Sequence, residues 1–321
     1  MTTYSIMLPF MPRRPEQILP YAGLVAWTGA ERLWQGQSLL VEPHQGFAYA
    51  AGAGFRVPAG LGVTLAGLRH PLEAALQARS VAMATGHPVI VGFGPGSPQF
   101  QESVLDKPYD RPLSALREYL TAVRRILAGD VTAVEGSYVV SRAQLPATPG
   151  IDVRVGLGVL RPGMARLAGE VADRAITWLT PASYLADTLV PALREGAERA
   201  GRPAPRVTAI VPMALELPDR DPVRLALASN QGHLRFPHYL DMLNRAGAGI
   251  TEEDDIQERA RRLVDCGGFL YGTPDRLAAA CRAYAEAGAD EIVINPTGVH
   301  AVAGAQTALS ELRTLIGELT R

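Results

Sequence analysis

Short apolar runs of the kind that fill a buried parallel strand recur along the 321-residue chain, each followed by a stretch with helical spacing of its apolar positions. Eight such runs predict strands at 4–8, 31–34, 59–64, 89–93, 153–157, 175–179, 207–217 and 291–295. Helices are predicted at 15–27, broken or kinked by Pro20, and at 71–85, 112–127, 162–171 and 181–200, with a brief one at 48–53. Pro71 suits a first helical position, and Thr273-Pro274 reads as an N-cap followed by such a position. The segments 35–46 and 94–110 read as loops. Eight strands alternating with helices over the whole length is the arithmetic of an α/β (β/α)8 TIM barrel in one domain, 1–321. A doubly wound open sheet is the alternative, but no Gly-x-Gly-x-x-Gly with a later acidic residue follows the first strand. About seventy residues separate strands seven and eight, so 218–268 reads as an insertion near the active face. It contains a helix after Asp221, an aromatic and basic tract at 232–239, an acidic cap at 251–255 and a further helix to about 264.

Charge and cysteine content narrow the classes. Lys and Arg number 31 against 32 Asp and Glu, which gives no basic field for nucleic acid. Cys266 and Cys281 stand alone, without a Cys-x-x-Cys or a nearby His pair, so neither a metal nor a redox framework is expected. That usage fits a reducing compartment. No apolar run approaches the ~18 residues of a membrane span, and the first ten residues lack the pattern of an export signal. The expectation is a cytoplasmic protein with no membrane partner.

Two strands empty into glycine-rich turns. The run 88–93 leads into Gly94-Pro95-Gly96-Ser97-Pro98, and 153–157 leads into Gly158 and a helix opening near Arg161-Pro162. At the carboxyl ends of parallel strands, such turns can offer backbone N–H groups and a helix N-terminus to a phosphate, as a flavin-like cofactor requires.

With Gly60-Leu61-Gly62-Val63-Thr64, Leu68-Arg69-His70-Pro71, 91–96, 167–173, Gly272-Thr273-Pro274 and 284–290 in that order, the chain resembles the luciferase-like flavin and deazaflavin oxidoreductase superfamily. It looks most similar to the branch that uses the deazaflavin coenzyme F420, with flavin mononucleotide (FMN) as the alternative cofactor. The resemblance implies a (β/α)8 barrel, a non-prolyl cis peptide at Gly62-Val63 behind the cofactor ring, with Thr64 beside it, and a homodimer. It places the cofactor phosphate against Gly156, Leu157, Gly158 and the helix opening at Arg161. Gly94, Pro95, Gly96 and Ser97 would join from the neighbouring loop.

A deazaflavin carries a hydride but does not activate oxygen, which implies a reductase or dehydrogenase. The chain departs from the superfamily where an Asp-His pair often follows strand two: here stands Trp34-Gln35-Gly36-Gln37. Gln37 can hydrogen-bond but cannot act as an acid or base. Alcohol oxidation by a His base is therefore in doubt, and reduction of a polarised C=C or C=N bond fits better. Candidate proton donors are Glu42 and His44 after strand two, where a solvated loop is the plainer reading, and His70, which reads first as a helix cap. Glu102 and Tyr109 are further candidates, and His233, Arg235 and His238 stand in a tract that reads equally as the lining of a substrate channel or as solvated surface. Glu170 and Asp173 read as ion-pair or capping residues, and Trp27, Trp34 and Trp178 as packing, with Trp34, at the end of strand two, also placed to face the ring. The resemblance implies a small-molecule or peptide-borne substrate, including dehydrated residues of ribosomal peptides. An FMN-dependent monooxygenase and a non-catalytic deazaflavin-binding protein are the competing readings.

Overall fold

The computed structural model describes residues 2–130 and 133–321. Eight parallel strands close into a barrel: β1 (Thr3–Met7), β2 (Leu33–Gln35), β3 (Ala59–Leu65), β4 (Val89–Gly94), β5 (Val153–Gly158), β6 (Arg174–Trp178), β7 (Arg206–Leu215) and β8 (Glu291–Asn295). They pair in chain order, and β8 closes onto β1 with Glu291 opposite Thr3. Each helix between strands returns the chain to the same end of the sheet, which keeps every strand parallel. β7 outruns the barrel: Thr208 to Pro212 lie beside β8, while Met213 to Leu215 pair with the short strand Leu270–Gly272.

Proline opens the outer helices Pro71–Thr85, Pro112–Ala128, Pro162–Val171 and Pro274–Glu286, at positions whose N–H would have no helical partner. Three stretches differ from the sequence expectation. The supposed loop 35–46 ends in a helix at Pro43–Gly52, because the Glu42 side chain accepts from the Gln45 amide and extends the brief helix expected at 48–53. The supposed loop 94–110 contains the helix Pro98–Leu105, capped by Ser97 Oγ on the Phe100 amide and stopped at Asp106, which takes φ 70°. The helix expected at 181–200 is divided into Ala182–Tyr184, a π-helical stretch Leu185–Leu189 and Val190–Arg199, with Pro191 lacking the N–H a regular helix would use. Pro20 likewise falls in the first turn of Leu19–Trp27, just after the 3-10 turn Pro15–Ile18. Between β7 and β8, 218–268 carries Pro222–Asn230, the turn His233–Arg235, Pro237–Arg245 and Ile256–Asp265.

The barrel interior is filled by large residues set against glycine. Met7, Trp34, Ile90, Ile176, Ile210 and Val293 form its central layer. A Cβ on Gly60 would lie 2.3 Å from the Trp34 indole, and one on Gly92 2.3 Å from Ile176 Cδ1. These glycines make room for side chains from other strands, Trp34 from the adjacent one and Ile176 from two strands away, in a barrel too narrow for large residues at every inward position. Below this layer Glu291, 1% exposed, accepts from Ser5 Oγ at 2.6 Å, Arg32 Nε at 2.9 Å and Trp34 Nε1 at 2.8 Å, all at Oε1.

Candidate active site at the carboxyl ends of the strands

The end of β3 is shaped by two neighbouring features. The Gly62-Val63 peptide is cis, and the pairing of β3 with β4 shifts register between Leu61 and Thr64. Val63 thereby reaches over β4 and β5. A Cβ on Gly92, Gly94 or Gly158 would lie 3.1, 2.9 or 3.2 Å from a Val63 methyl. Thr64 Oγ1 donates to the Gly92 carbonyl at 3.2 Å. Gln37 ties the loop after β2 to this edge: its amide donates to Val63 O at 3.0 Å, and its Oε1 accepts from the Leu65 amide at 3.4 Å. The Gln37 Nε2 group donates to Ser38 O, so the side chain is engaged in holding the loop.

The supposed phosphate turns are built differently from the sequence expectation. Gly156 and Leu157 lie within the ladder, opposite Gly92 and Phe93 on one side and Arg174 and Ala175 on the other. Gly158 pairs with Ile176, because β5 runs one residue beyond its expected end. The backbone of these three residues is therefore committed to the sheet, and the turn toward Arg161 lies beyond them. Arg161 is the N-cap residue of Pro162–Val171, exposed, with Nη1 3.4 Å from Asp241 Oδ2. Gly94 ends β4, Pro95 follows, and Gly96 takes φ 79°, a left-handed conformation that favours glycine. Ser97 Oγ is already engaged as a helix cap. Trp34, read as packing with a ring contact as the second option, is fully buried inside the barrel, held through Nε1 to Glu291.

Glu42 and His44, read as candidates in a solvated loop, are brought together at a helix start. His44 is 5% exposed, and its Nδ1 stands 2.8 Å from Glu42 Oε1. Arg69 Nη2 donates to the same oxygen at 3.1 Å, and Tyr119 OH fixes the Arg69 carbonyl. Burial pushes the Glu42 carboxyl up, but the His44 hydrogen bond and charge, the Gln45 amide and Arg69 outweigh it and hold the group low. The pair is thus a carboxylate orienting an imidazole, and the far nitrogen, His44 Nε2, is buried with no partner. His70 is separate from it: exposed, it accepts from the Leu72 amide and caps its helix. Glu102 is exposed on Pro98–Leu105, and the Tyr109 ring packs edge-on against Tyr138 at 5.7 Å.

Aromatic groups gather beyond the ends of β6, β1 and β8. Trp178, at the end of β6, lies 5.4 Å from His233, which meets Tyr239 edge-on at 4.9 Å. Burial, with a further contribution from His238, pushes His233 down to about 4, so it is uncharged at neutral pH. Arg235 is exposed, and the His238 ring stacks on Phe236. Phe10, after β1, stacks on His300, after β8, at 4.6 Å. Asn295, the last residue of β8, is fully buried; its Oδ1 accepts from Thr297, and its Nδ2 has no partner. Trp178 Nε1 is also buried without a partner. Phe10, Tyr239, Asn295 and His300 were not among the sequence candidates, although three of them lie at or just beyond the carboxyl end of a barrel strand, where sites collect in this fold. Among the described residues no helix is long and apolar enough to cross a membrane.

A family model described as luciferase-like monooxygenase matches residues 3–291, and the chain belongs to that family. An F420-dependent glucose-6-phosphate dehydrogenase from Nakamurella multipartita is 28% identical over 214 residues, 63% of this chain and 61% of that protein. A 5,10-methylenetetrahydromethanopterin reductase from Methanolobus tindarius is 31% identical over 145 residues, 44% of this chain and 43% of that one. The matched regions thus span less than two thirds of these relatives' own length. Among solved structures, an F420-dependent secondary alcohol dehydrogenase in complex with an F420-acetone adduct superposes with a TM-score of 0.78 at 18% identity, covering 99% of both chains. That likeness shows a shared fold.

Proposed function

We propose that the protein is an F420-dependent oxidoreductase that acts as a reductase on a polarised C=C or C=N bond. The recurrence of F420-dependent enzymes, dehydrogenases as well as a reductase, among the sequence relatives and structural neighbours supports the F420-dependent part of this reading. At the carboxyl-end mouth Val63 packs over Gly92, Gly94 and Gly158, and Asn295 Nδ2 and Trp178 Nε1 are donors in need of acceptors, which supports a bound group there. When bound, the deazaflavin supplies a hydride. The protein's part is to seat an acceptor carbon over the ring, keep water out with the aromatic wall at Trp178, His233 and Tyr239, and deliver a proton. His44, oriented by the Glu42 carboxylate, is the proton donor in this reading, and Gln37 positions the loop and the end of β3.

The substrate in this reading is a small molecule or a peptide-borne alkene or imine, including dehydrated residues of ribosomal peptides, and the working unit is a homodimer. Support for reduction is the absence of an Asp-His pair directly after β2. The test is titration of the purified protein with oxidised and reduced F420 and with FMN, followed by absorbance and fluorescence. Saturable F420 binding, with reduced F420 consumed when an electron-poor alkene or imine is added, is the expected result. Preference for FMN with oxygen uptake would point to a monooxygenase. F420 binding without turnover of any acceptor in either direction would leave a carrier.

A further inference from the structure

The opposite end of the barrel holds a second cavity of about 480 Å³. Its wall is made where strands begin: Arg32 before β2, Asp152 and Arg154 at β5, Asp173 and Arg174 at β6, and Arg202 and Arg206 at β7. Five arginines and two aspartates line it. Both aspartates are engaged, Asp152 with Arg154 at 2.8 Å and Asp173 with Arg124, Arg202 and the Val155 amide. Glu291 lies in the floor, its Oε1 taken by three donors and its Oε2 3.9 Å from Arg174 Nη1. Two carboxylates on the rim, Glu31 and Asp290, reach Arg32 and Arg206 at 3.3 and 3.2 Å. The lining itself sets five guanidinium groups against two carboxylates, and Glu291, Glu31 and Asp290 bring the carboxylates touching those arginines to five, so it is the unpartnered N–H groups that mark the site.

Arg32 is 6% exposed and Arg174 8%. Nη1 of each, and Nη1 of Arg202, is buried with no hydrogen-bond partner, as are Thr208 Oγ1 and Glu291 Oε2. Buried donors are almost always satisfied, and a guanidinium N–H left bare costs stability unless an acceptor is supplied. Burial works against the Arg174 cation, and Arg206 and Arg32 add to it while Glu291 opposes it; burial and then Arg124 work against Arg202. Guanidinium groups present planar forks of N–H donors that suit a tetrahedral oxyanion, and three of those lining this cavity have a buried Nη1 free to donate.

We propose that this cavity binds a phosphoryl anion, with Arg32, Arg174 and Arg202 donating to its oxygens and Arg154 and Arg206 at the entrance. The site stands apart from the cofactor mouth, at the other end of the barrel, and does not depend on the reading of function above. It is tested on the protein without cofactor by calorimetric titration with inorganic phosphate and, separately, with glycerol 3-phosphate, at ionic strength held constant with sodium chloride so that general screening is matched. One saturable site is expected. Tighter binding of the ester identifies a phosphorylated metabolite as the occupant, and equal binding identifies free phosphate; both support the site. Arg202→Gln should weaken binding at least about tenfold, the loss of one charge-assisted bond. Arg313→Gln, at an exposed position of the last helix, should leave it unchanged. If circular dichroism shows Arg202→Gln to be unfolded, Arg154→Gln at the entrance takes its place. Absence of saturable binding, or unchanged affinity in both the Arg202 and Arg154 variants, overturns the proposal and assigns the cavity to water.

Discussion

Replacing Glu291 by alanine tests the reading of the barrel floor most severely. The carboxylate is 1% exposed and accepts from Ser5 at 2.6 Å, Trp34 at 2.8 Å and Arg32 at 2.9 Å, with Arg174 3.9 Å from its other oxygen. Glu291→Ala leaves two buried guanidinium groups without their carboxylate and strips the Trp34 indole of its acceptor. Removing one partner of a buried ion pair costs about 3–5 kcal/mol, because the remaining charge is stranded out of water. Over 321 residues the unfolding entropy corresponds to roughly 0.7 kcal/mol per degree, so Tm should fall by about 5–7 °C. Glu291→Gln keeps an acceptor but no charge, and about 2 kcal/mol is expected. Thermal melts and urea titrations of the three proteins, read by circular dichroism, are the assay. A Glu291→Ala loss below ~1 kcal/mol would refute the reasoning, since it would place the floor within the range of an ordinary surface substitution.

The remaining predictions concern the mouth and its titration. His44→Asn should lower turnover by about 10²-fold while F420 affinity stays within a factor of two or so; equal losses in both would assign His44 to packing. The Glu42 carboxyl is held below its ordinary value of 4.5, so its contribution to stability is present above that pH and is lost as pH falls through the lower folded value. Urea midpoints measured downward from pH 5 should show that part of the slope in the wild type and not in Glu42→Gln. His233 is held at about 4 against an ordinary 6.5, so the unfolded chain takes up its proton first and stability drops as pH falls from 6.5 toward 4. His233→Phe should flatten that interval, and an unchanged slope would mean that the ring titrates freely. Gly92→Ala would put a methyl 2.3 Å from Ile176 Cδ1 and 2.8 Å from the Leu61 carbonyl. About 1–3 kcal/mol of destabilisation is expected from such overpacking, whereas alanine at Gly317, where nothing lies within 4 Å, should be tolerated.

What local sequence determined is the alternation itself. Runs of β-branched and other apolar residues such as Val89-Ile90-Val91 have no polar face, so they form strands buried on both sides, and helices must cover them. Proline at the first turn and a capping side chain before it place helix starts from sequence alone, as at Pro71 and at Thr273-Pro274. The same rule, applied to Glu42-Pro43 and Ser97-Pro98, would have found the two helices that were read as loops, since each cap accepts from an amide three residues on. The location of the mouth at the carboxyl ends was equally legible, because it follows from the connectivity of a parallel barrel.

Only the tertiary structure decided what the side chains do there. Gly94 and Gly158 look in sequence like phosphate-binding glycines, yet each, like Gly92 within its strand, also makes way for Val63, which comes from another strand. Trp34 ends a strand and reads as a ring contact, but the buried Glu291, 257 residues away, holds its indole inside the barrel. His44 acquires its orientation from Glu42 two residues earlier, yet Arg69, 27 residues beyond Glu42, helps keep that carboxylate charged. The five arginines of the second cavity are scattered from position 32 to position 206 and form no motif. Strand and helix periods are local consequences of backbone geometry, whereas burial, charge state and the partner of a polar atom depend on which distant segments closure of the barrel brings together.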